Sequence, residues 1–307
     1  MSTNDVSLAK ASPYNYIPTR WIAILMLSLF GVSTFVHIVQ AIKYCMYWLI
    51  LTACLCGIIE VLGWSGRLWS SVSPLLLKLF QIQITCTIVA PTLLLAANFV
   101  ILGEMIKFLG PAYIRISPKW YTIIFCTSIS FCRLRYTSRS YLAQDIASLI
   151  IQGVGGGLAA AATDLKGANR GAHIMLAGIV FQLTVIILFS LLAMEYFIRY
   201  CYDAPISSRK ASDDVTVTGQ QRGVFTKKLK IMTCALAFST MLLFIRAVYR
   251  TIELADGWHG RIISNETYFN VLDGAMVILA MYAINFVNPG LFVPPPSYPT
   301  DDKEILA

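Results

Sequence analysis

Apolar residues in this chain collect into long blocks separated by short polar stretches, a pattern unlike the period-two or one-faced alternation of a soluble domain. A helix needs roughly 20 apolar residues to cross the hydrocarbon core. On that measure the pattern predicts spans near 21–41, 45–66, 79–104, 120–162, 171–198, 229–252 and 268–288. The expected fold class is therefore all-α, an integral membrane protein with seven transmembrane helices. Residues 21–290 form the transmembrane domain, between an N-terminal tail at 1–20 and a C-terminal tail at 291–307. Tyr14, Tyr16 and Trp21 read as an interfacial aromatic anchor at the start of this domain. Pro91, in the middle of the third span, predicts a kink.

The fourth span is broken. "WYTIIFC" is followed by "TSISFCRLRYTSRSYLAQ", with Arg133, Arg135 and Arg139, before "DIASLIIQGVGGGLAAAA" resumes. Joining Ser128 directly to Asp145 restores a span of ordinary length, so residues 129–144 read as an insertion in the helix, such as a retained short intron. A re-entrant or cytoplasmic loop is the alternative.

Composition supports the membrane reading: 57% of residues are hydrophobic, 13% are charged and the mean hydropathy is +0.68. Soluble domains carry about twice that charged fraction. The formal charge of +8 would suit a nucleic-acid partner, but Lys and Arg sit in short loops, where they act as a topology signal. No nucleic acid is expected. The longest polar stretch, from Tyr200 to Lys230, is basic and goes to the cytoplasm by that rule, which places the N-terminus outside and the C-terminus inside. The sequon Asn265-Glu266-Thr267 then falls on the outer side. None of the eight cysteines forms a CxxC pair, so neither a disulfide framework nor a zinc site is indicated, and no cofactor is expected.

Against this apolar background, charges inside the spans stand out. An ionised side chain at mid-bilayer costs about 2.5–3.5 kcal/mol on insertion scales, so seven facing lipid would cost on the order of 20 kcal/mol. They are expected to face inward and meet. Arg246, Arg250 and Glu253 lie four and three residues apart, on one helical face. Glu60 and Arg67 share a face of span two, with Gly63 and Gly66 thinning that helix for a neighbour. Asp145, Ser148 and Gln152 share a face of span four, and Asp273 comes early in span seven. In the expected orientation these groups converge on one cavity in the outer half of the membrane, with one carboxylate to spare. That surplus suits a cationic amphiphile whose tail stays in lipid. A static ion-pair network that fixes helix packing accounts for the same residues. Gly153 and Gly157 form a GxxxG, a close-packing signal rather than a phosphate loop.

Four ordered stretches, "IIEVLGWSGR", "DIASLIIQGVGGGL", "RAVYRTIELADGWHG" and "ETYFNVLDGAMVILAMYAINFVNPG", resemble the fungal RTA1-like (aminocholesterol-resistance) lipid-translocating exporter family from Tyr14 to Pro294. The resemblance implies seven spans, a plasma-membrane or related location and a membrane lipid as substrate. The implied role is translocation of amphiphiles such as sphingoid long-chain bases, with resistance to toxic sterol amines. Matching positions are Glu60, Gly63 and Arg67; Asp145, Ser148, Gln152 and Gly155 to Gly157; Arg246, Tyr249, Arg250 and Glu253; Glu266 and Asp273. Residues 129–144 depart from the family's pattern. Of these, Glu60, Arg67, Asp145, Gln152, Arg246, Arg250, Glu253 and Asp273 are the expected substrate-binding residues, with no catalytic residue and no metal.

Two rival classes are weaker. A seven-span lipid or stress sensor suits the topology, but "GEMIKFL" ends span three without an acidic-Arg-Tyr motif, and Asn288-Pro289-Gly290 lacks the Tyr of the usual receptor signature. A zinc-dependent membrane hydrolase needs several histidines with carboxylates. The three here, His37, His173 and His259, are far apart in sequence. No Walker-type motif is present, so movement of a lipid would draw no ATP on this chain.

Overall fold

The computed structural model describes residues 12–109, 150–158, 165–203, 224–257 and 260–293. Among these, every regular element is helical. We number the helices α1 (Arg20–Lys43), α2 (Tyr47–Ser70), α3 (Leu77–Leu109), α4 (150–158), α5 (Leu165–Cys201), α6 (Lys227–Asp256) and α7 (Glu266–Phe292). Six of them, all but α4, contain a stretch long and apolar enough to cross a membrane. The insertion at 129–144, Asp145 and Ser148 lie outside the described residues.

The helices begin and end where local chemistry directs. Thr226 caps α6 by accepting a hydrogen bond from the Leu229 amide at 3.3 Å. Gly257, at φ 79°, ends the same helix in a backbone conformation that side chains disfavour. Asn265 caps α7 through the Thr267 amide at 3.0 Å, so the sequon asparagine serves as a helix cap. Observed helices overrun the predicted spans; α3 extends to 77–109 where the pattern predicted 79–104. Hydropathy marks the part in lipid, whereas backbone hydrogen bonding continues past it.

α3 is the most enclosed helix and packs along α2, with further contacts to α6 and α5; α7 lies between α1 and α6. Trp21, Phe35, Leu51, Met241 and Phe286 point away from the bundle. A soluble protein would pay heavily for such a surface, and lipid removes that cost. Close approaches depend on small residues. A side chain at Gly63 would crowd Cys86 and Thr87, and one at Gly66 would meet the Leu79 carbonyl, as the predicted thinning of α2 requires. In α4 the expected pair is replaced: Gly153 and Gly157 face open space, while Gly155 sits on Met175 and Gly171 of α5, and Gly156 on Thr85 of α3. The GxxxG spacing picks out one face of the helix, and the face that packs is the one between those two glycines.

Two helices contain π-helical turns, Ile50–Cys54 in α2 and Asn270–Ala275 in α7. Such turns rotate everything beyond them relative to what precedes and are frequent at functional sites. The turn in α7 contains Asp273.

Candidate functional site

Arg246, Arg250 and Glu253 share a face of α6, as their spacing predicts, and that face meets the π-helical turn of α7. Asp273 receives both arginines. Arg250 donates through Nε and Nη2 to its two carboxylate oxygens at 2.8 and 2.7 Å, and Arg246 Nε lies 2.9 Å from Oδ1. Arg250 Nη1 also pairs with Glu253 at 2.6 Å, and Tyr249 donates to the other Glu253 oxygen at 3.0 Å. Thr87 of α3 completes the site, its hydroxyl accepting from Arg250 Nη2 at 2.8 Å and its carbonyl from Arg246. Glu60 of α2 lies within electrostatic range of Asp273, Arg246 and Arg250. All five ionisable groups are at most 2% exposed. Among the described residues the cluster thus holds three carboxylates and two guanidiniums, one carboxylate in surplus.

Arg67 sits apart from this cluster. It pairs with Glu266 at 3.1 Å and accompanies Tyr16, whose hydroxyl accepts from Nη2 at 3.0 Å. Both Glu266 oxygens also receive bonds from Thr19, at 2.7 Å each, tying the start of α1 to the start of α7. The Phe269 ring joins the two layers, with the Arg67 guanidinium 4.5 Å and the Arg250 guanidinium 5.0 Å from its centroid. Tyr14 and Tyr16 pack into this Arg67 layer rather than standing open as lipid anchors. Tyr14 is buried, donates to Ser70 at 3.1 Å and stands edge-on to Phe80. Burial pushes its phenol up to about 12. Trp21, 66% exposed, has the open position an anchor needs.

Gln152 lies elsewhere too. Its amide donates to Gln182 at 2.9 Å and its oxygen accepts from Thr92 at 3.2 Å, a junction of α3, α4 and α5. Helical spacing fixes which face a residue occupies but not which neighbour that face meets, so Arg67 and Gln152 were grouped with a cluster they do not join. Thr87, Trp64 and Phe269 were missed. Nothing in the sequence separates Thr87 from the nearby Thr85 and Thr92, whereas Trp64 and Phe269 carried a signal in their helical register with Glu60 and Asp273.

Several enclosed polar atoms at this end lack a hydrogen-bond partner: Glu60 Oε1, Trp64 Nε1 and Arg67 Nε along one face of α2, and Asn270 Oδ1 on α7. Away from the charges, an open apolar groove of about 620 Å³ runs between α5 and α6, lined by Phe189, Leu191, Met194, Leu236 and Phe244 among others.

A helical bundle with several membrane-crossing helices and an ion-pair network enclosed among them defines the class, a multi-pass integral membrane protein with a buried polar site. Its family follows from comparison. Residues 53–295 match the family described as RTA1 like protein, and the chain belongs to that family. It is 27% identical over 293 residues to the sphingoid long-chain base transporter RSB1 of Saccharomyces cerevisiae, covering 89% of this chain and 72% of that protein. Protein RTA1 of the same yeast is 24% identical over 234 residues, covering 75% of this chain and 63% of its own length. Protein RTM1 is 25% identical over 235 residues, covering 76% and 65%. No solved structure matches at a significant level.

Proposed function

We propose that this protein is a membrane lipid transporter that translocates cationic amphiphiles of the sphingoid-base type and so protects against toxic amphiphiles. The observation that supports this most is the enclosed cluster of Glu60, Arg246, Arg250, Glu253 and Asp273, with its unbalanced carboxylate. Removing one partner of a buried ion pair costs about 3–5 kcal/mol, yet apolar replacements of a whole network are often neutral or stabilising. Charge of this kind therefore does not earn its place by stability alone. A negative surplus within a membrane bundle suits a head group that arrives with a positive charge, while its alkyl chain stays in lipid. The relative named as a sphingoid long-chain base transporter agrees with that chemistry.

Within this proposal the chain acts as a carrier rather than an enzyme, in the plasma membrane, with seven spans and the N-terminus outside. That orientation puts the layer of Arg67, Glu266 and Tyr16 toward the outer surface. The test is reconstitution into liposomes with a fluorescent sphingoid base in one leaflet. Translocation should exceed that of protein-free vesicles without ATP, and exceed that of a labelled zwitterionic phospholipid in the same vesicles. Rates equal to those of empty vesicles would overturn the reading.

A further inference from the structure

The residues ahead of α1, from Ser12 to Thr19, cross the end of the bundle that holds the ionic cluster, and side chains fasten them there. Pro13 and Pro18 restrict the segment. Asn15 turns it, at φ 59° with its amide on the Ser12 carbonyl at 3.0 Å, a conformation asparagine adopts more readily than most residues. Ser12 and Tyr14 are each 3% exposed. Tyr14 belongs to an apolar cluster with Ile84 of α3, Met175 of α5, Leu254 of α6 and Ile263 of the α6–α7 connection. Asn15 Nδ2 donates to Ser264 of the same connection at 3.0 Å. With Tyr14 bonded to Ser70 of α2 and Thr19 bonded to Glu266 of α7, the segment touches most of the helices that end here.

Arg67 is the group on which the segment closes. Its guanidinium lies 5.6 and 5.5 Å from the ring centroids of Tyr14 and Tyr16, and 5.7 and 4.5 Å from those of Trp64 and Phe269. Each ring face attracts the cation, and two of the four rings come from the segment, so the cage is complete only with the segment in place. Glu266 pairs with Arg67 and with Thr19 at once, which makes it the second half of the fastening. The way down to the cluster starts at the same residues. Phe269 carries Arg250 on its ring, and Tyr16 is within electrostatic range of Glu253. A cavity of about 10 Å³, room for about one water, borders Glu253. It is lined by Ile84, Leu254 and Ile263, three members of the Tyr14 cluster. Moving Tyr14 away uncovers those side chains and extends the cavity from Glu253 toward the end of the bundle.

We propose that residues 12–19 are a strap that closes this end of the bundle over the ionic cluster, latched by Arg67 and Glu266, and that its release opens the way to Glu253. The cluster is at most 2% exposed, so anything that reaches it needs part of the protein to move. A helix is packed along its whole length, whereas the strap is held by a handful of side-chain bonds and opens as a local unit. Arg67, apart from the cluster yet fully enclosed, thereby acquires a role as a positioning residue. The inference rests on the carrier reading above for what the opening admits, and adds how that site is closed.

The test uses the full chain in lipid nanodiscs with Ser12→Cys as reporter, reacted with a soluble maleimide and read at that position by peptide mass spectrometry. In the otherwise unaltered protein the thiol should react slowly. Arg67→Met, which keeps the length and removes the charge, should raise the rate about tenfold, the worth of one charge-assisted hydrogen bond. Glu266→Gln should act in the same direction. Arg67→Lys, which keeps a cation among the rings, should stay nearer the parent rate than Arg67→Met. The native Cys56, 0% exposed within α2, reports on the bundle itself and should stay unreacted throughout. Equal rates at position 12 in all forms, or Cys56 reacting in step with position 12, overturn the inference. A second arm ties the strap down through Asn15→Cys and Ser264→Cys, bridged by a short bifunctional thiol reagent that reductant cleaves. In liposomes the bridge should stop translocation of a labelled sphingoid base and reductant should restore it. Undiminished translocation through the bridged protein overturns the strap while the carrier stands. Translocation absent from every form removes the carrier reading and leaves the strap to be decided by the labelling rates.

Discussion

Two polar seams fasten α3 to α6, and they are built from different chemistry. At one, Asn98 donates to Ser239 and Thr240 at 3.2 Å each, and Ser239 donates back at 3.4 Å, all from neutral and nearly inaccessible side chains. At the other, eleven residues and about 16 Å along α3, Thr87 meets two arginines held by two carboxylates. The neutral seam shows that these helices dock within an apolar bundle without charge. Interhelical hydrogen bonds of that kind are worth about 0.6–2 kcal/mol and require no ion to leave water. The ionic seam places several charges in the same surroundings, at about 2.5–3.5 kcal/mol each on insertion scales. The contrast teaches that charge near Asp273 exceeds what packing requires, an excess for which the proposed carrier role supplies a reason.

The sharpest way to break the comparison is to unbalance the ionic seam. Asp273→Ala strands Arg246, leaves Arg250 with Glu253 alone and should lower stability by about 3–5 kcal/mol, read as a large fall in thermal midpoint and in yield of folded protein in detergent. Converting Arg246 and Arg250 to Met with Glu253 and Asp273 to Leu should restore most of that stability while translocation stays lost. Recovery of both would return the cluster to the role of a clamp. Next in size, Thr87→Val removes the hydroxyl acceptor of Arg250 and should cost about 1.5–3 kcal/mol, the range for a hydrogen bond to a charged group. Asn98→Ala, in the neutral seam, should cost about 1 kcal/mol and leave labelled-base translocation unchanged; a loss of transport there would erase the distinction between the seams. The smallest effect is expected at Lys107, whose pair with Glu104 at 2.6 Å is open to solvent. Lys107→Ala should move stability by less than about 1 kcal/mol, measured by the same unfolding curves.

Much of the site was readable along the chain. Arg246, Arg250 and Glu253 had to share a face because α-helical geometry makes residues three and four apart neighbours, and Asp273 had to meet them because an uncompensated charge in lipid is prohibitive. The same logic fails between helices. Arg67 shares a face with Glu60 but lies two turns further along, where the start of α7 brings Glu266 instead. Gln152 is polar and inward-facing, and α4 turns it to Gln182 and Thr92, away from Asp273 and its arginines. Asp145 and the 129–144 insertion lie outside the described residues and remain expectations of the sequence.

What the sequence by itself determined was set by short-range rules: apolar length specified the membrane-crossing helices, and helical period specified which charges face inward. Tertiary structure alone decided the partnerships. The π-helical turn that aims Asp273 at both arginines, the choice of Thr87 over its neighbours, and the meeting of Arg67 with Glu266 depend on how rods far apart in sequence rotate and settle against one another. No local periodicity encodes that rotation, because many side-chain contacts, each worth only a fraction of a kcal/mol, select it together.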